Sequence, residues 1–322
     1  MFWPRAKHPD RTLQRSHDQA SLRKILERSS SSDPSTKLEA IKQVRSLVST
    51  DLNQPVDDLI SGGVLPILIQ CLLEPSSDLQ KEAASALTNI ASGSPDQTAA
   101  VVKAGAARHF VELLDPGNAD VCEQALFGLG NIISEGSDFR DYCIEVGIVE
   151  PLLKLVAPVT PLKLLQNVAF VLENLCRAKW PPLPRLIVEK LLPALDLLVQ
   201  HQDVNVIVDT VWAICYLTKR NLEHCKIIIE SGAIQRCVHL LSHAEEKVQA
   251  HVLRALGNAI VEALWFISNI AAGKKEDIQA IFDAMLFPNI VQILKAEDFS
   301  LQEEAVWIIT NMAAGGSEKH IG

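Results

Sequence analysis

The 322-residue chain has little of what β-structure and disulfide frameworks require. It carries only 15 glycines and two tyrosines, aromatic residues make up 5% of it, and no stretch alternates apolar and polar residues as a half-buried strand would. Its seven cysteines (Cys71, Cys122, Cys143, Cys176, Cys215, Cys225 and Cys237) show no CxxC or Cys/His ligand spacing. The odd count argues against a disulfide scaffold, and most of them sit on apolar helical stripes as reduced core thiols. No uninterrupted apolar stretch reaches the roughly 18 residues that cross a bilayer, and the opening MFWPRAKHPDRTLQRS lacks the apolar segment of a secretory signal. GxxxxGK[ST], GxGxxG, HExxH and GxSxG are all missing, and with them the usual signs of nucleotide, metalloprotease or hydrolase chemistry. These absences predict a soluble, intracellular chain that is not an enzyme and needs no cofactor or metal.

What is present is aliphatic. Hydrophobic residues make up 48% of the chain, mostly Leu, Ile, Val and Ala, which suits a helical protein with an extensive interior. Charge is uneven. Residues 1–50 carry 10 Lys/Arg against 5 Asp/Glu, and the remainder carries 20 against 34, a net of −14. An acidic body disfavours nucleic acid and anionic membrane as partners and favours basic ones.

A period runs through the chain. The phrases SALTN, FGLGN, FVLEN, WAICY and RALGN close on Asn89, Asn131, Asn174, Tyr216 and Asn258, at steps of 42, 43, 42 and 42. WFISN and WIITN close on Asn269 and Asn311, again 42 apart, but Asn258 to Asn269 is only 11. Gly63, Gly105, Gly147 and Gly232 form a second ruler, with one gap of 85, and Met285 follows 53 residues after Gly232. Both rulers therefore miss the same 31 residues (42 − 11, and 42 + 11 = 53). A period near 42 with helical apolar spacing indicates an all-α solenoid of the armadillo/HEAT kind, three helices to a repeat, in which stacking supplies one continuous core. The expected organisation is a basic, disordered tail over residues 1–34, with the linker-like RSSSSDPS at its end, and one solenoid domain over 35–322 of six to seven repeats. One of these is truncated near 253–273. In this frame His201 with Asp203, and His239 with His243, are loop or helix-end residues rather than acid–base or metal pairs.

The third helix of each repeat presents a stripe. Four residues before the closing Asn or Tyr stand Ser85, Phe127, Phe170, Trp212, Arg254, Trp265 and Trp307; three residues before these stand Glu82, Gln124, Asn167, Asp209, His251, Glu262 and Glu304. Residues at these spacings share one helix face. The amides either bond within the stack or hold an extended peptide backbone by donor and acceptor together. In the second case aromatic walls flank Lys or Arg stems and carboxylates neutralise their heads.

EAASALTNIASGSPDQT, CEQALFGLGNI, DTVWAICYLT, LRALGN and EAVWIITNMAAGG resemble successive repeats of the importin α family, from about residue 36 onward. The resemblance implies a right-handed armadillo superhelix that acts as a nuclear-import adaptor in cytoplasm and nucleus. It would bind Lys/Arg-rich nuclear localisation signals and, through a basic N-terminal segment, importin β. Here that segment, RTLQRSHDQASLRKILER, is basic but sparse. Carried over, the major-groove residues are Asn89, Gly93, Thr98, Gln124, Phe127, Asn131, Glu135, Phe170, Asn174, Asp209, Trp212 and Tyr216. The minor-groove residues are Arg254, Asn258, Glu262, Trp265, Asn269, Glu304, Trp307 and Asn311. Ser85, Phe127 and Phe170 stand where the family has Trp, and Glu135 where it has Asp, so weaker cargo binding is expected, by about 1–2 kcal/mol. A shortened paralogue that retains cargo without importin β, or a scaffold for folded partners as in catenin-type armadillo proteins, are the alternatives.

The 31-residue deficit predicts one long helix from about Lys247 to Ala271. Eleven residues make three turns plus about 20°, so the two merged phrases keep one face, with Asn258 and Asn269 about 16.5 Å apart along the axis. The minor groove would then be distorted or lost.

Overall fold

The computed structural model describes residues 19–49, 54–177, 180–219, 221–295 and 299–316. It groups them into two compact units, one ending at Asn167 and the other starting at Val168. The boundary falls inside a helix, where a single domain from 35 to 322 was expected. All regular structure among the described residues is helical, as an all-α armadillo fold requires.

In the first unit α1 (Gln19–Ser29) and α2 (Pro34–Leu47) lead into a repeat of α3 (Val56–Ser61), α4 (Val64–Leu72) and α5 (Ser77–Ala91). A second repeat follows as α6 (Pro95–Lys103), α7 (Ala106–Glu112) and α8 (Ala119–Glu135), and a third begins with α9 (Ser137–Glu145), α10 (Val149–Lys154) and α11 (Leu162–Cys176). Local chemistry starts these helices. The Thr36 amide donates to Asp33 ahead of Pro34, and Ser94 closes a reciprocal capping box with Gln97 ahead of Pro95. The third helices then bury one another, α2 against α5 and α5 against α8. Leu87, Ile90, Leu126, Leu129 and Ile132 are fully buried there.

Helix α1 corrects the expected tail. Leu22 and Ser29 are buried and α1 packs on α2, so residues 19–29 belong to the fold; residues 1–18 lie outside the described set. The pattern was missed because α1 is short and polar apart from one apolar stripe (Leu22, Ile25, Leu26).

The second unit continues α11 into α12 (Arg185–Leu198) and α13 (Val204–Leu217), then α14 (Leu222–Glu230), α15 (Ala233–Val238) and α16 (Glu246–Ala271). It closes with α17 (Lys275–Asp283), α18 (Phe287–Ile293) and α19 (Phe299–Gly315). A single α12 stands where other repeats have two short helices, which explains the glycine gap of 85 residues. Helix α16 runs 26 residues through Gly257 without a break, the length and register the deficit demands. It packs on both α13 and α19, serving two layers. By length and composition alone it could also cross a membrane, which uninterrupted apolar runs did not reveal. Val248, Val252, Ala255, Leu264 and Ala271 are instead buried against the stack.

The second ruler is a set of corners. Gly63, Gly105, Gly147 and Gly232 turn the chain at φ +88°, +93°, +93° and +78°, and Met285, at the equivalent corner, takes φ +56°. The left-handed region costs an L-residue roughly 1–2 kcal/mol and glycine almost nothing. Met285 is 78% exposed, so it gains little packing in return. Met285→Gly is expected to stabilise the fold by about 1 kcal/mol in denaturant unfolding. Gly105→Ala should destabilise it by about 1–2 kcal/mol, although a Cβ there would meet nothing within 4 Å. Opposite signs would show that these corners are not limited by φ.

Candidate functional site

The stripe residues lie on α5 and α8 in the first unit, on α11 across the boundary, with Asn167 in the first unit and Phe170 and Asn174 in the second, and on α13, α16 and α19 in the second. Their amides do more structural work than a peptide ladder alone would ask. Asn131 Nδ2 donates to Thr88 O (3.3 Å), Asn258 Nδ2 to Cys215 O (3.1 Å) and Asn311 Nδ2 to Ser268 O (3.1 Å). Each acceptor lies 43 residues back, immediately before the equivalent residue of the preceding layer. Asn89 Nδ2 donates to Ser49 Oγ (2.7 Å). Bonding within the stack therefore holds for these four. Asn269 donates instead to Trp265 O on its own helix (3.0 Å). Forty-three residues before Asn269 lies α14, not a third helix, because the missing 31 residues removed that layer. Asn174 likewise donates to Phe170 O on its own helix (2.8 Å).

In the first unit Phe127 is 38% exposed, and Gln124 and Glu135 are half-buried beside it in sequence on α8. Ser85 offers no wall, and Arg45 pairs with Glu82 just before it. Thr98 is fully buried, and its hydroxyl donates to Ala91 O (2.9 Å) and lies 3.2 Å from Ser94 O, so it helps to shape the loop. Gly93 is exposed in that loop, where a Cβ would come within 2.0 Å of Gln97 Oε1 and disturb the capping box.

The second unit holds the denser cluster. Trp212 and Tyr216 stack with ring centroids 5.2 Å apart. The Arg254 guanidinium lies 5.2 Å from the Trp212 ring centroid and that of Arg177 lies 5.8 Å from the Tyr216 ring centroid, both within cation–π range. The His251 ring sits 4.6 Å from Trp212. Arg177 Nη2 pairs with Glu173 Oε1 at 3.1 Å. Burial, with the Glu173 carboxylate adding to it, pushes Asp209 up to about 7; burial also raises Glu173, against the pull of Arg177. Phe170 is half-buried on α11. The stripe register does not include Glu173 or Arg177; the i, i+4 spacing of ENLCR was the available signal.

The minor-groove residues divide. Arg254 and Asn258 belong to the α13 layer through the contacts just given. Trp265 and Trp307 are 46% and 55% exposed on α16 and α19, and Asn311 ties these two helices together. Glu304 is half-buried on α19. Glu262 lies on α16, and its side chain falls outside the described residues. Trp265 and Trp307 are thus two exposed rings on helices that pack together. Among the described residues, no group of three His, Cys, Asp or Glu could hold a metal ion.

Asp209 ionises near 3.8 when unfolded and near 7 when folded. The stability from its retained proton is full below about pH 4 and is lost as pH rises through 7. Asp209→Asn should remove that loss. In thermal unfolding the variant's advantage over the parent is expected to grow by more than about 1 kcal/mol between pH 5 and pH 8. Parallel pH profiles would refute a buried, incompletely paired carboxylate.

The armadillo/β-catenin-like repeat pattern matches residues 53–92, 94–134 and 221–261. The chain is 44% identical over 219 residues to importin subunit alpha-3 of Caenorhabditis elegans, covering 68% of this chain and 43% of that protein. It is 35% identical over 295 residues to importin subunit alpha-1a of Oryza sativa subsp. japonica (81% and 56%). The chain thus spans about half the length of the curated relatives it matches. Among solved structures it is similar to a designed armadillo repeat protein in complex with the peptide (KR)4, with a TM-score of 0.67 and 28% identity over 74% of this chain and 99% of that one. An engineered protein aligns over 93% of this chain and 80% of its own, with a TM-score of 0.69 and 26% identity.

Proposed function

Because this chain belongs to the importin α family of armadillo-repeat proteins, we propose that it is a nuclear-import adaptor, not an enzyme, and moves between cytoplasm and nucleus. It binds Lys/Arg-rich nuclear localisation signals on an acidic, aromatic-lined surface. The observation that carries this reading is the Trp212–Tyr216 pair: two rings of one stripe, each with a guanidinium against it and Asp209 one turn away on the same helix. A surface that accepts the chain's own arginines in this way has the chemistry to accept those of a peptide. The (KR)4 peptide in the similar designed protein is a ligand of the same class. In the first unit Glu135, Gln124 and Phe127 on α8, with Asn89, Asn131 and Gly93, offer one such surface. In the second unit Phe170 and Asn174 join the Trp212–Tyr216 pair, and Trp265 and Trp307 with Glu304 offer a shorter one.

One observation favours a second reading. Part of the basic segment that would engage importin β is α1, which packs on α2, and Arg28 donates to Gln43 (3.3 Å). A form that retains cargo without importin β, or an armadillo scaffold, fits that packing.

Fluorescence anisotropy with a lysine-rich signal peptide tests the first reading. Micromolar or tighter binding is expected, weakening with salt and by about tenfold or more in Glu135→Gln plus Trp212→Ala. Binding no better than that of a neutral scrambled peptide would remove the adaptor reading and leave the scaffold.

A further inference from the structure

Helix α16 carries the same kind of strip twice. On its second half Leu264, Ser268 and Ala271 are buried. Helix α19 packs on α16, sets Ala305, Ile308 and Met312 in one core with Leu264 and Ala271, and sends Asn311 Nδ2 to Ser268 O. Eleven residues earlier stand Leu253, Gly257 and Ile260, on nearly the same face, because 11 residues make three turns plus about 20°. This first strip is open. Leu253 is 60% and Ile260 44% exposed, and a Cβ added at Gly257 would meet nothing within 4 Å.

Openness is not a property of these repeat positions. Ala84 and Val211 hold the place of Leu253 in their own layers, and Ala91 and Thr218 that of Ile260. All four are buried, on α5 and α13, against which the next third helices, α8 and α16, pack. The uncovered surface also extends beyond α16. Val238, on α15, is exposed, whereas Val111, equally six residues past its corner glycine, is buried. Helix α3 packs on α6 and α4 on α7, but among the described residues α14 and α15 show no comparable packing on α17 and α18. The physical reason is the merger, which sets these two layers about 16.5 Å apart along one helix axis instead of side by side.

The chain itself displays what covers such a strip. The face of α19 that meets α16 has aliphatic residues and one small residue at helical spacing, Leu301, Ala305, Ile308 and Met312 (i, i+4, i+7, i+11), with the Asn311 amide beside them. In every interlayer bond of this type the acceptor is the carbonyl one residue before the closing residue of the earlier layer, as with Thr88, Cys215 and Ser268. By the same register the acceptor left by the missing layer is Gly257 O. Aliphatic side chains held in water at this place favour a partner that removes them from it.

We propose that the strip formed by Leu253, Gly257 and Ile260, with Val238, docks an amphipathic helix of a partner protein. That helix is about four turns long, matching residues 246–260. It has aliphatic and small residues at the spacing of α19 and an Asn or Gln amide that donates to Gly257 O. It takes the place of the third helix that this chain lacks. The site lies about 100° round α16 from the stripe of Arg254 and Asn258, so it is independent of the basic-peptide reading.

The test uses the full chain and a fluorescein-labelled peptide with the sequence of α19, FSLQEEAVWIITNMAAG, followed by anisotropy. The parent should bind it with a Kd of roughly 10–100 μM. Leu253→Glu should weaken binding at least about tenfold and leave the melting temperature unchanged, since Leu253 is exposed. Val306→Glu, at the equivalent exposed position of α19, should bind as the parent does. A peptide with Asn311→Ala should bind several-fold more weakly to the parent. Equal binding by Leu253→Glu and the parent would overturn the site, as would loss of binding in Val306→Glu alone or no binding by the parent. Sedimentation velocity supplies the other arm. Self-association of the parent that Leu253→Glu abolishes would assign the strip to a second copy of the chain and overturn the partner helix.

Discussion

Each layer of this fold depends on a third helix that cannot bury its apolar side alone. Leu87, Ile132 and Ile214, on α5, α8 and α13, reach zero exposure in helices that pack on neighbours about 42 residues away in sequence. The period is therefore a packing requirement, since a layer out of step would present its polar stripe to the core. The amide bonds that reach back 43 residues reinforce that register. Each ties one third helix to a carbonyl of the previous one, at a point where the stripe would otherwise be free to slide. The proposed ligand chemistry would draw on residues already committed to stacking, since Asn131 and Asn258 both bond to the layer before them.

That double use explains what could and could not be read in advance. Repeat length, the corner glycines and the merged helix were all visible, because each follows from a spacing that backbone geometry enforces. Helix α1 was not, since a single turn-spaced apolar stripe gives too little contrast against a polar background. Thr98 shows a different limit. Its place in the loop was legible, but the direction of its hydroxyl depends on helix-capping bonds that spacing does not encode. Glu173 and Arg177 were hidden because the repeat directs attention to the positions it repeats. Their contacts appear only in the fold, where Arg177 pairs with Glu173 and lies against the Tyr216 ring.

The two aromatic regions of the second unit differ in what already lies on them. Trp212 and Tyr216 carry Arg254 and Arg177, so under the proposed function a peptide cation would have to share or displace a resident one. Trp265 and Trp307 have no such resident among the contacts described, and they stand on α16 and α19. Loss of a layer has thus changed the number of repeated walls more than the chemistry of any one of them.

The merged helix also sets a rule for length change in this fold. Because α16 is held at its first half by α13 and at its second by α19, its two halves are locked in rotational phase. A deletion that left 11 residues between the two phrases kept that phase to within about 20°, whereas 9 or 10 would have turned the second half by roughly 80–180° from its neighbour. Viable lengths for such a helix are discrete. Solenoids of this kind can lose residues in the middle of a layer only in steps that return the helix to nearly the same angle, which makes a whole layer minus three turns an allowed loss and most smaller losses forbidden.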